Sequence, residues 1–250
     1  MNISVIGAGY VGLITGIGFA KLNHQVSIVD LNDDLIKNLN ENRPPFYEPE
    51  LVDYLNDSNI RNNLFFSTSY QKSINENTDI VFVCVQTPTD PDTGKTKTDY
   101  ISSVLTELKK IESFNFIICI KSTIKATLVE KISNEIDLDY KKIIFNPEFL
   151  REGSAFYDFF NPDRIVIGGS DQKGLNQCTE LYESFDCEKI ITDSNSSQMI
   201  KYLSNTYLAM RLSFVNETYR LVSEFNGNPE EVLNAIAVSY THLRAHETSG

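Results

Sequence analysis

Three glycines near the start of the chain have the spacing of a site that binds the phosphates of a dinucleotide. Gly7, Gly9 and Gly12 follow the apolar run Ile3–Ile6 and precede a helix predicted over Leu13–Leu22, so the pattern G-x-G-x-x-G lies between a strand and a helix. Gly7 would make the tight turn, Gly9 would let the backbone approach a pyrophosphate, and Gly12 would let helix and strand pack closely. The unpaired N–H groups of the helix would then face the anion.

An acidic residue closes the second apolar run, Val26–Val29, at the distance that this pattern requires. Asp30 stands about 20 residues beyond the glycines, where a carboxylate accepts hydrogen bonds from the adenosine ribose. Its charge would repel a 2′-phosphate, which favours NAD over NADP. Tyr10 and Val11, between the glycines, complete the expected cofactor-binding turn. Taken singly, the glycines could form a turn without a ligand and Asp30 could be solvated; spacing alone also leaves a flavin or another nucleotide open.

Polar side chains follow three further strand-like runs. Glu148 and Glu152 come directly after Lys142–Phe145. The residues that follow the other two runs are Thr87, Pro88, Thr89, Ser122 and Thr123. Because the carboxyl ends of strands in open α/β sheets form the ligand crevice, we expect these groups to converge there. The alternatives are that Ser122 or Thr123 caps a helix starting at Lys125, and that the glutamates stabilise a helix N-terminus.

A long helix is predicted over Gln198–Phe225, with Ser196 or Ser197 as its N-cap and Gly227 as its stop. Apolar residues recur along it at steps of three and four, and they are Ile200, Leu203, Tyr207, Met210 and Phe214. Lys201 and Asn205 lie one turn apart beside this stripe. A cation and an amide donor together suit an alkoxide or oxyanion, whereas the alternative is a solvated lysine and an asparagine without a role.

The elements that must position these groups alternate between strands and helices. Apolar runs of strand length occur at Ile3–Ile6, Val26–Val29, Ile80–Val85, Phe116–Ile120, Lys142–Phe145 and Arg164–Ile167. This alternation predicts the α/β class, with a doubly wound, parallel, Rossmann-type sheet followed by the long helix and the start of a helical middle domain. We expect a dinucleotide-binding domain over 1–194, the long helix and the start of a dimerisation domain over 195–237, and a separate tail over 238–250.

Composition excludes several classes of protein. The net charge of −12 argues against binding nucleic acid, which needs clustered Lys and Arg. The sequence has no apolar run long enough for a membrane span and no signal peptide, so we expect a cytoplasmic protein. The four cysteines show no metal-type pairing, and we interpret them as buried or idle thiols.

Six longer motifs carry a resemblance to a known family. They are GAGYVG, PFYEPEL at Pro45–Leu51, VQTPTDP, IKSTI, FNPEFLREGSAFYDFFNPDRIVIGG and MIKYLSNTYLAMRLSFVNE. Over Met1 to Ala237 the chain resembles the UDP-glucose 6-dehydrogenase family of nucleotide-sugar dehydrogenases. The resemblance implies NAD-dependent, four-electron oxidation of C6 of UDP-glucose to give UDP-glucuronate and two NADH. In that family a cysteine holds the aldehyde-level intermediate as a thiohemiacetal and then as a thioester, which water hydrolyses.

The resemblance also implies roles for individual residues. Thr123 and Glu148 would position and activate the hydrolytic water, and Lys201 and Asn205 would stabilise the developing oxyanion. Thr123 also belongs to the expected cofactor-binding set, whose remaining members are Thr87, Pro88, Thr89, Ser122 and Glu152. The segment Phe149, Leu150 and Arg151 would help to seat the sugar nucleotide, together with Glu148, Lys201 and Asn205. The long helix would form a homodimer in the full-length protein.

Two features depart from the family pattern. The lysine that the family often carries shortly after the second-strand acid has no counterpart in Leu31–Leu35. The glycine-rich loop with the nucleophilic cysteine, followed by Pro-Lys-Asp, is absent, as is the second nucleotide-binding domain. The final stretch, VSYTHLRAHETSG from Val238, resembles the translated read-through of a sequencing-library adapter. We therefore expect a non-native tail, with His242 and His246 a coincidence and not a metal site.

Three interpretations follow from the sequence. The first is a fragment of a UDP-glucose 6-dehydrogenase that binds NAD but produces no UDP-glucuronate by itself. The second is a dehydrogenase of GDP-mannose or another nucleotide sugar, because selection between uracil and guanine depends partly on the absent domain. The third, from another functional class, is a catalytically silent NAD-binding or assembly module.

Overall fold

The computed structural model describes residues 1–111 and 115–239. Residues 240–250 of the predicted tail, with both of its histidines, lie outside the described residues, whereas Val238 and Ser239 belong to the last helix. The chain divides into two units, Met1–Met199 and Ile200–Gly250. The predicted α/β class is confirmed, because the first unit is a sheet with helices on both faces, and a long helix follows it.

Within the described residues, eight strands form one sheet in the order β3-β2-β1-β4-β5-β6-β7-β8. The strands are β1 Asn2–Ile6, β2 Gln25–Val29, β3 Leu64–Ser67, β4 Ile80–Val83, β5 Ile117–Ile120, β6 Ile143–Phe145, β7 Arg164–Gly168 and β8 Glu188–Thr192. Every pairing is parallel except that of β6 with β7. The order reverses between β1 and β4, so the crevice of a doubly wound sheet lies at the carboxyl ends of these two strands.

Helices connect most of these strands. The helices are α1 Tyr10–Lys21, α2 Asp33–Asn40, α3 Leu51–Asn56, α4 Ser58–Arg61, α5 Tyr70–Ser73, α6 Asp99–Lys110, α7 Ala126–Glu135, α8 Ala155–Phe160, α9 Gln172–Leu181, α10 Ser194–Glu224 and α11 Pro229–Ser239. A 3₁₀ turn, Tyr140–Lys142, precedes β6. Among the described residues, no helix combines the length and the apolar character that crossing a membrane requires.

Two apolar cores lie on the two faces of the sheet. Alternate residues of the central strands enter different cores: Val5 and Phe82 pack with α1 on one face, and Ile6 and Val83 pack with α6 on the other. All four residues of β4 are buried, as expected for a parallel strand covered on both sides. The polar groups that follow such strands are consequently held on a rigid support.

The sequence prediction missed two strands and misplaced some boundaries. The strand β3 has only four residues and Phe65 is 46% exposed; β8 is an edge strand whose residues are all half-buried or exposed, so neither has a continuous buried run. The run predicted to end at Val85 leaves the sheet after Val83. The first helix begins at Tyr10, three residues before the predicted start.

The start of the long helix was also predicted wrongly. α10 begins at Ser194, and the residue that caps it is Asp193 rather than Ser196 or Ser197. The Asp193 carboxylate accepts hydrogen bonds from the backbone N–H groups of Asn195 and Ser196, both at 2.9 Å, and from the Ser196 hydroxyl at 2.6 Å. Hydrogen bonds from Ser196 hold the pKa of Asp193 below its usual value.

Candidate functional site

The glycine-rich turn connects β1 to α1 at the point where the strand order reverses. Gly7 has a φ of +100°, and a Cβ there would lie 2.8 Å from the carbonyl oxygen of Cys84. A Cβ on Gly12 would lie 1.8 Å from the carbonyl oxygen of Gly7, so only glycine allows α1 to pack this closely on the turn. A Cβ on Gly9 would meet nothing within 4 Å. The backbone at Gly9 is therefore open to an approaching ligand, as a pyrophosphate site requires.

Asp30, immediately after β2, faces this turn. Its Oδ2 accepts a hydrogen bond from the backbone N–H of Ala8 at 2.8 Å, and its Oδ1 accepts one from the N–H of Asn32 at 3.0 Å. The carboxylate is thus fixed beside the turn. Because each carboxylate oxygen can accept a second hydrogen bond, Asp30 retains capacity for ribose hydroxyls. The turn and Asp30 together fit a dinucleotide.

Hydroxyl side chains link the ends of β4 and β5. The buried Ser122 hydroxyl lies 2.6 Å from the carbonyl oxygen of Val85, and Thr87 donates to the carbonyl oxygen of Thr123 at 2.8 Å. Capping by Ser122 or Thr123 was the wrong alternative, because Lys125 is the N-cap of α7 and no side chain caps that helix. Among the described residues, no partner is recorded for the Thr123 hydroxyl, which is only half-buried.

The loop after Thr87 turns back on itself beside this edge. Thr89 pairs with Thr96 as an antiparallel bridge, and the carbonyl of Pro88 accepts a hydrogen bond from the N–H of Lys97 at 2.8 Å. The loop thus leaves Thr89 a few residues from the strand end, farther along the chain than Thr87.

Glu148 and the two residues after it follow β6 at the same edge. Glu148 is half-buried, and its Oε2 accepts a hydrogen bond from the N–H of Leu150 at 2.7 Å, which fixes the turn. The ring of Phe149 lies 4.3 Å from the guanidinium of Arg164. Burial raises the pKa of Cys84, directly after β4, and the negative charge of Glu148 adds to this increase.

Arg151 and Glu152 have different environments. The guanidinium of Arg151 forms a two-point pair with Asp158, with distances of 2.6 and 3.0 Å, and the N–H of Arg151 donates to the same carboxylate at 2.9 Å. The hydrogen bond to Asp158 raises the pKa of Arg151. Glu152 is exposed. The carbonyl oxygen of Arg151, directly before Glu152, lies 3.1 Å from the Tyr10 hydroxyl, so the backbone beside Glu152 lies near the first residue of α1.

A residue that sequence reasoning missed links three of these segments. Glu48, in the Pro45–Leu51 loop, is only 3% exposed. Its carboxylate accepts hydrogen bonds from the N–H groups of Gly153 at 2.9 Å and Ala155 at 2.7 Å, and it lies 3.0 Å from the Tyr10 hydroxyl. The motif PFYEPEL contains Glu48, but nothing in its local pattern indicates a buried acid.

A buried polar cluster that was also missed lies below the edge. Lys121, directly after β5, donates to Asn146 Oδ1 at 3.0 Å, and the Tyr182 hydroxyl donates to the same oxygen at 2.6 Å. The Asn146 amide donates to the carbonyl of Val166 at 2.8 Å. All three side chains are at most 6% exposed. This cluster ties the ends of β5 and β6 to β7, and so supports the residues that follow them.

The four cysteines are not placed as nucleophiles. Cys84, Cys119 and Cys178 are buried, and Cys187 is half-buried. Burial raises the pKa of Cys84 to about 12, and it also raises the pKa of Cys119 and Cys187. The interpretation of buried thiols holds for the first three. No group of three or more possible metal ligands occurs in the described parts of the chain.

Lys201 and Asn205 belong to the second unit, where they lie one turn apart on α10. Lys201 is 6% exposed and Asn205 is exposed. The apolar stripe beside them is largely on the surface: Leu203, Tyr207, Met210 and Phe214 are each at least 46% exposed. The roles of Lys201 and Asn205, and dimerisation through this stripe, stay predictions.

Comparison with known families covers almost the whole chain. Residues 1–186 match the NAD binding domain of the UDP-glucose/GDP-mannose dehydrogenase family, and residues 195–245 match the central domain of the same family. The UDP-glucose 6-dehydrogenase of Bacillus subtilis is 35% identical over 240 residues, which are 93% of this chain and 53% of that protein. The chain therefore spans about half the length of the curated relatives that it matches.

Two solved structures show the same fold at similar coverage. The UDP-glucose dehydrogenase of Pyrobaculum islandicum has a TM-score of 0.86 and 33% identity, over 94% of this chain and 56% of that one. The GDP-mannose dehydrogenase of Pseudomonas aeruginosa, solved as a ternary complex, has a TM-score of 0.85 and 27% identity, over 95% of this chain and 56% of that one.

Proposed function

Because the chain belongs to the UDP-glucose/GDP-mannose dehydrogenase family, we propose that it is the cofactor-binding part of an enzyme that oxidises UDP-glucose to UDP-glucuronate with NAD. The observation that supports this most directly is the glycine turn, open at Gly9 and faced by the Asp30 carboxylate. The overall reaction converts a primary alcohol and water to a carboxylate, two NAD molecules accept the two hydrides, and three protons are released. NAD, when bound, supplies the acceptor carbon for each hydride.

The residues of the first unit have distinct proposed tasks. Asp30 orients the adenosine ribose, and the N–H groups that begin α1 bind the pyrophosphate. Thr123 and Glu148 hold and activate the hydrolytic water, which is supported by the unengaged Thr123 hydroxyl and by the turn that fixes Glu148. Glu152 lies beside the dinucleotide.

The remaining residues would bind the sugar nucleotide and the developing charge. The backbone of Phe149 and Leu150 seats the sugar nucleotide. Arg151 offers its backbone rather than its charge, because Asp158 already holds its guanidinium. Lys201 and Asn205 on α10 would stabilise the oxyanion that develops at C6.

The proposal also covers the domain organisation and the assembly. We assign residues 1–194 to cofactor binding and 195–237 to the start of a dimerisation domain. The exposed apolar side chains of α10 support a homodimer through this helix. Sedimentation equilibrium of the full-length protein tests this assembly. Met210→Asp on α10 should produce a monomer, whereas the control Glu188→Gln in the first unit should not.

The substrate and the cofactor can be tested separately. Isothermal titration of the purified chain with NAD and NADP should show binding of NAD and much weaker binding of NADP; absence of NAD binding contradicts the proposal. Turnover of UDP-glucose against GDP-mannose by the protein encoded by the complete gene decides the sugar nucleotide. A higher kcat/KM for GDP-mannose would favour the second candidate, which the structural likeness to the Pseudomonas aeruginosa enzyme supports.

The chain of 250 residues by itself should bind NAD without forming UDP-glucuronate. Its three buried thiols cannot reach a substrate, and the raised pKa of Cys187 disfavours the thiolate that would hold the intermediate. Incubation with UDP-glucose and NAD, followed by anion-exchange detection of the acid, measures this. Steady formation of UDP-glucuronate would show that the reasoning about the thiols is wrong.

A further inference from the structure

Glu48 joins three segments that are far apart in the sequence. The loop that contains it lies between α2 and α3, whereas Tyr10 begins α1 and Gly153 and Ala155 lie about a hundred residues later. The ring of Phe46, two residues before Glu48, also packs on Tyr10 with the ring centroids 5.2 Å apart. The loop therefore contacts the first residue of the helix at the glycine turn.

The carboxylate of Glu48 is well satisfied for a buried acid. Oε1 accepts one hydrogen bond from backbone and Oε2 lies within hydrogen-bond distance of one backbone N–H and one phenol hydroxyl. Buried carboxylates are costly unless several donors compensate them. A residue without a structural or functional task would not be expected to keep an acid at 3% exposure in this position.

The hydrogen bonds fix both sides of an exposed acid. On one side of Glu152, Asp158 binds the N–H of Arg151, and the carbonyl of Arg151 lies 3.1 Å from the Tyr10 hydroxyl. On the other side, Glu48 binds the N–H of Gly153, whose φ is +85°. Glu152 itself is exposed, and no hydrogen bond or ion pair of its side chain is recorded among the described residues. Its backbone is held while its side chain is available to a ligand.

We propose that Glu48 is a positioning residue for the cofactor: through Tyr10, Gly153 and Ala155 it holds the segment 151–155 against the glycine turn and so fixes Glu152 beside the bound dinucleotide. This inference rests on the proposed NAD-binding function. Under this proposal Glu48 touches neither the cofactor nor the substrate. It acts through the backbone that it binds, and a small displacement of that backbone weakens binding beyond the adenosine half.

The test compares Glu48→Gln with wild type and with Glu50→Gln. Glu50 is in the same loop but is exposed, and its recorded side-chain contact is with Tyr54 at 3.3 Å. In Glu48→Gln one oxygen becomes an NH₂ group, which faces at least one N–H or O–H donor and cannot accept from it. We expect NAD to bind about tenfold more weakly to Glu48→Gln. Glu50→Gln should bind NAD like wild type.

A second ligand separates positioning from general damage. AMP contains the adenosine half and one phosphate, and its ribose would contact Asp30, which binds the N–H of Ala8, whereas the 151–155 segment lies against Tyr10. We expect AMP affinity to change less than about twofold in Glu48→Gln, because only contacts beyond the first phosphate are displaced. Equal losses for NAD and AMP would indicate a loosened fold and would overturn the proposal.

The phenol of Tyr10 gives a spectroscopic readout. Burial, the hydrogen bond to Glu48 and the charge of Glu48 raise the pKa of Tyr10 above its usual value of 10. NMR of ¹³Cζ-labelled tyrosine, with the Tyr10 resonance assigned by its loss in Tyr10→Phe, should show that this pKa falls in Glu48→Gln. An unchanged Tyr10 pKa, or a usual one in wild type, would refute the contact on which the inference depends.

Tyr10→Phe keeps the test decisive if Glu48→Gln does not fold. It removes one hydroxyl and leaves the two backbone hydrogen bonds of Glu48 in place. We expect about threefold weaker NAD binding in Tyr10→Phe. If Glu48→Gln folds, the double variant should show a loss smaller than the product of the single losses. Wild-type NAD affinity in Tyr10→Phe would overturn the inference, whereas failure of wild type to bind NAD would overturn the proposed function instead.

Discussion

Two glycine substitutions should separate the stability of the cofactor turn from its ability to bind a ligand. In Gly12→Ala the new Cβ would lie 1.8 Å from the carbonyl oxygen of Gly7, about 1.6 Å short of the 3.4 Å at which ordinary contact begins. Both atoms are held by backbone, so no side-chain rotation relieves the contact, and α1 must move away from β1. In Gly9→Ala the Cβ meets no atom within 4 Å, and the φ of −71° suits alanine.

The expected magnitudes follow from this difference. Overpacking of this kind costs about 2–3 kcal/mol, and the better helix propensity of alanine offsets at most about 1 kcal/mol. For a unit of about 200 residues, a net loss of about 1–3 kcal/mol lowers Tm by about 2–12 °C. Gly9→Ala should change Tm by less than about 2 °C, but its methyl group projects into the space where the pyrophosphate must approach the backbone. Both variants should bind NAD at least about tenfold more weakly.

The assays are differential scanning fluorimetry without ligand and isothermal titration with NAD. The pair of variants is needed because loss of binding in Gly12→Ala alone could result from its lower stability. Wild-type NAD affinity in Gly9→Ala would refute the assignment of this backbone to the pyrophosphate. Wild-type Tm in Gly12→Ala would refute the close packing of α1 on the turn.

Three further outcomes can be measured on the same chain. Asp30→Asn should weaken NAD binding about tenfold and bring the NADP affinity closer to that of NAD, because the charge that repels a 2′-phosphate is removed. An unchanged ratio of the NADP and NAD affinities in titration calorimetry would contradict this. Asp193→Ala should lower the free energy of unfolding, measured in urea, by about 1 kcal/mol, while Asn195→Ala, which keeps the cap, should not. Because the pKa of Asp193 is lowered in the folded chain, the stabilisation by the cap should be present above pH 3.8 and lost as the pH falls further. A difference in stability that does not depend on pH would contradict the cap. Ellman's reagent should modify only Cys187 at an appreciable rate in the folded chain and all four cysteines in denaturant, and rapid reaction of further thiols in the folded chain would contradict their burial.

Much of the fold follows from short-range patterns in the sequence. The central strands are continuous apolar runs because both of their faces are covered, and such runs predict buried parallel strands directly. The edge strands β3 and β8 lack that pattern because one side of each meets solvent. The start of α10 was misplaced for a different reason: Asp193, Ser196 and Ser197 are all good caps, and only the geometry selects Asp193.

The cofactor part of the candidate site was predictable because its glycines lie in one turn and its acid follows at a fixed spacing. Gly7, Gly9, Gly12 and Asp30 follow a spacing that the sequence displays, and the structure brings the Asp30 carboxylate to the turn as that spacing requires. Glu148 and Glu152 follow the same strand, and the resemblance, not their spacing, predicted different roles for them; Glu148 is half-buried and Glu152 is exposed. Side-chain direction after a strand depends on the turn, and the spacing of four residues does not determine it.

The sequence by itself determined the class of the sheet, the dinucleotide turn and the polar residues that follow the strands, because each depends on neighbours within a few residues. Only the tertiary structure decided that Glu48 is the acid that holds the 151–155 segment to α1, and that Asp158 occupies the guanidinium of Arg151. A buried carboxylate is stable where donors from distant segments meet it. Those donors are distributed over about 150 residues of chain, and only folding brings them within 3 Å of one side chain.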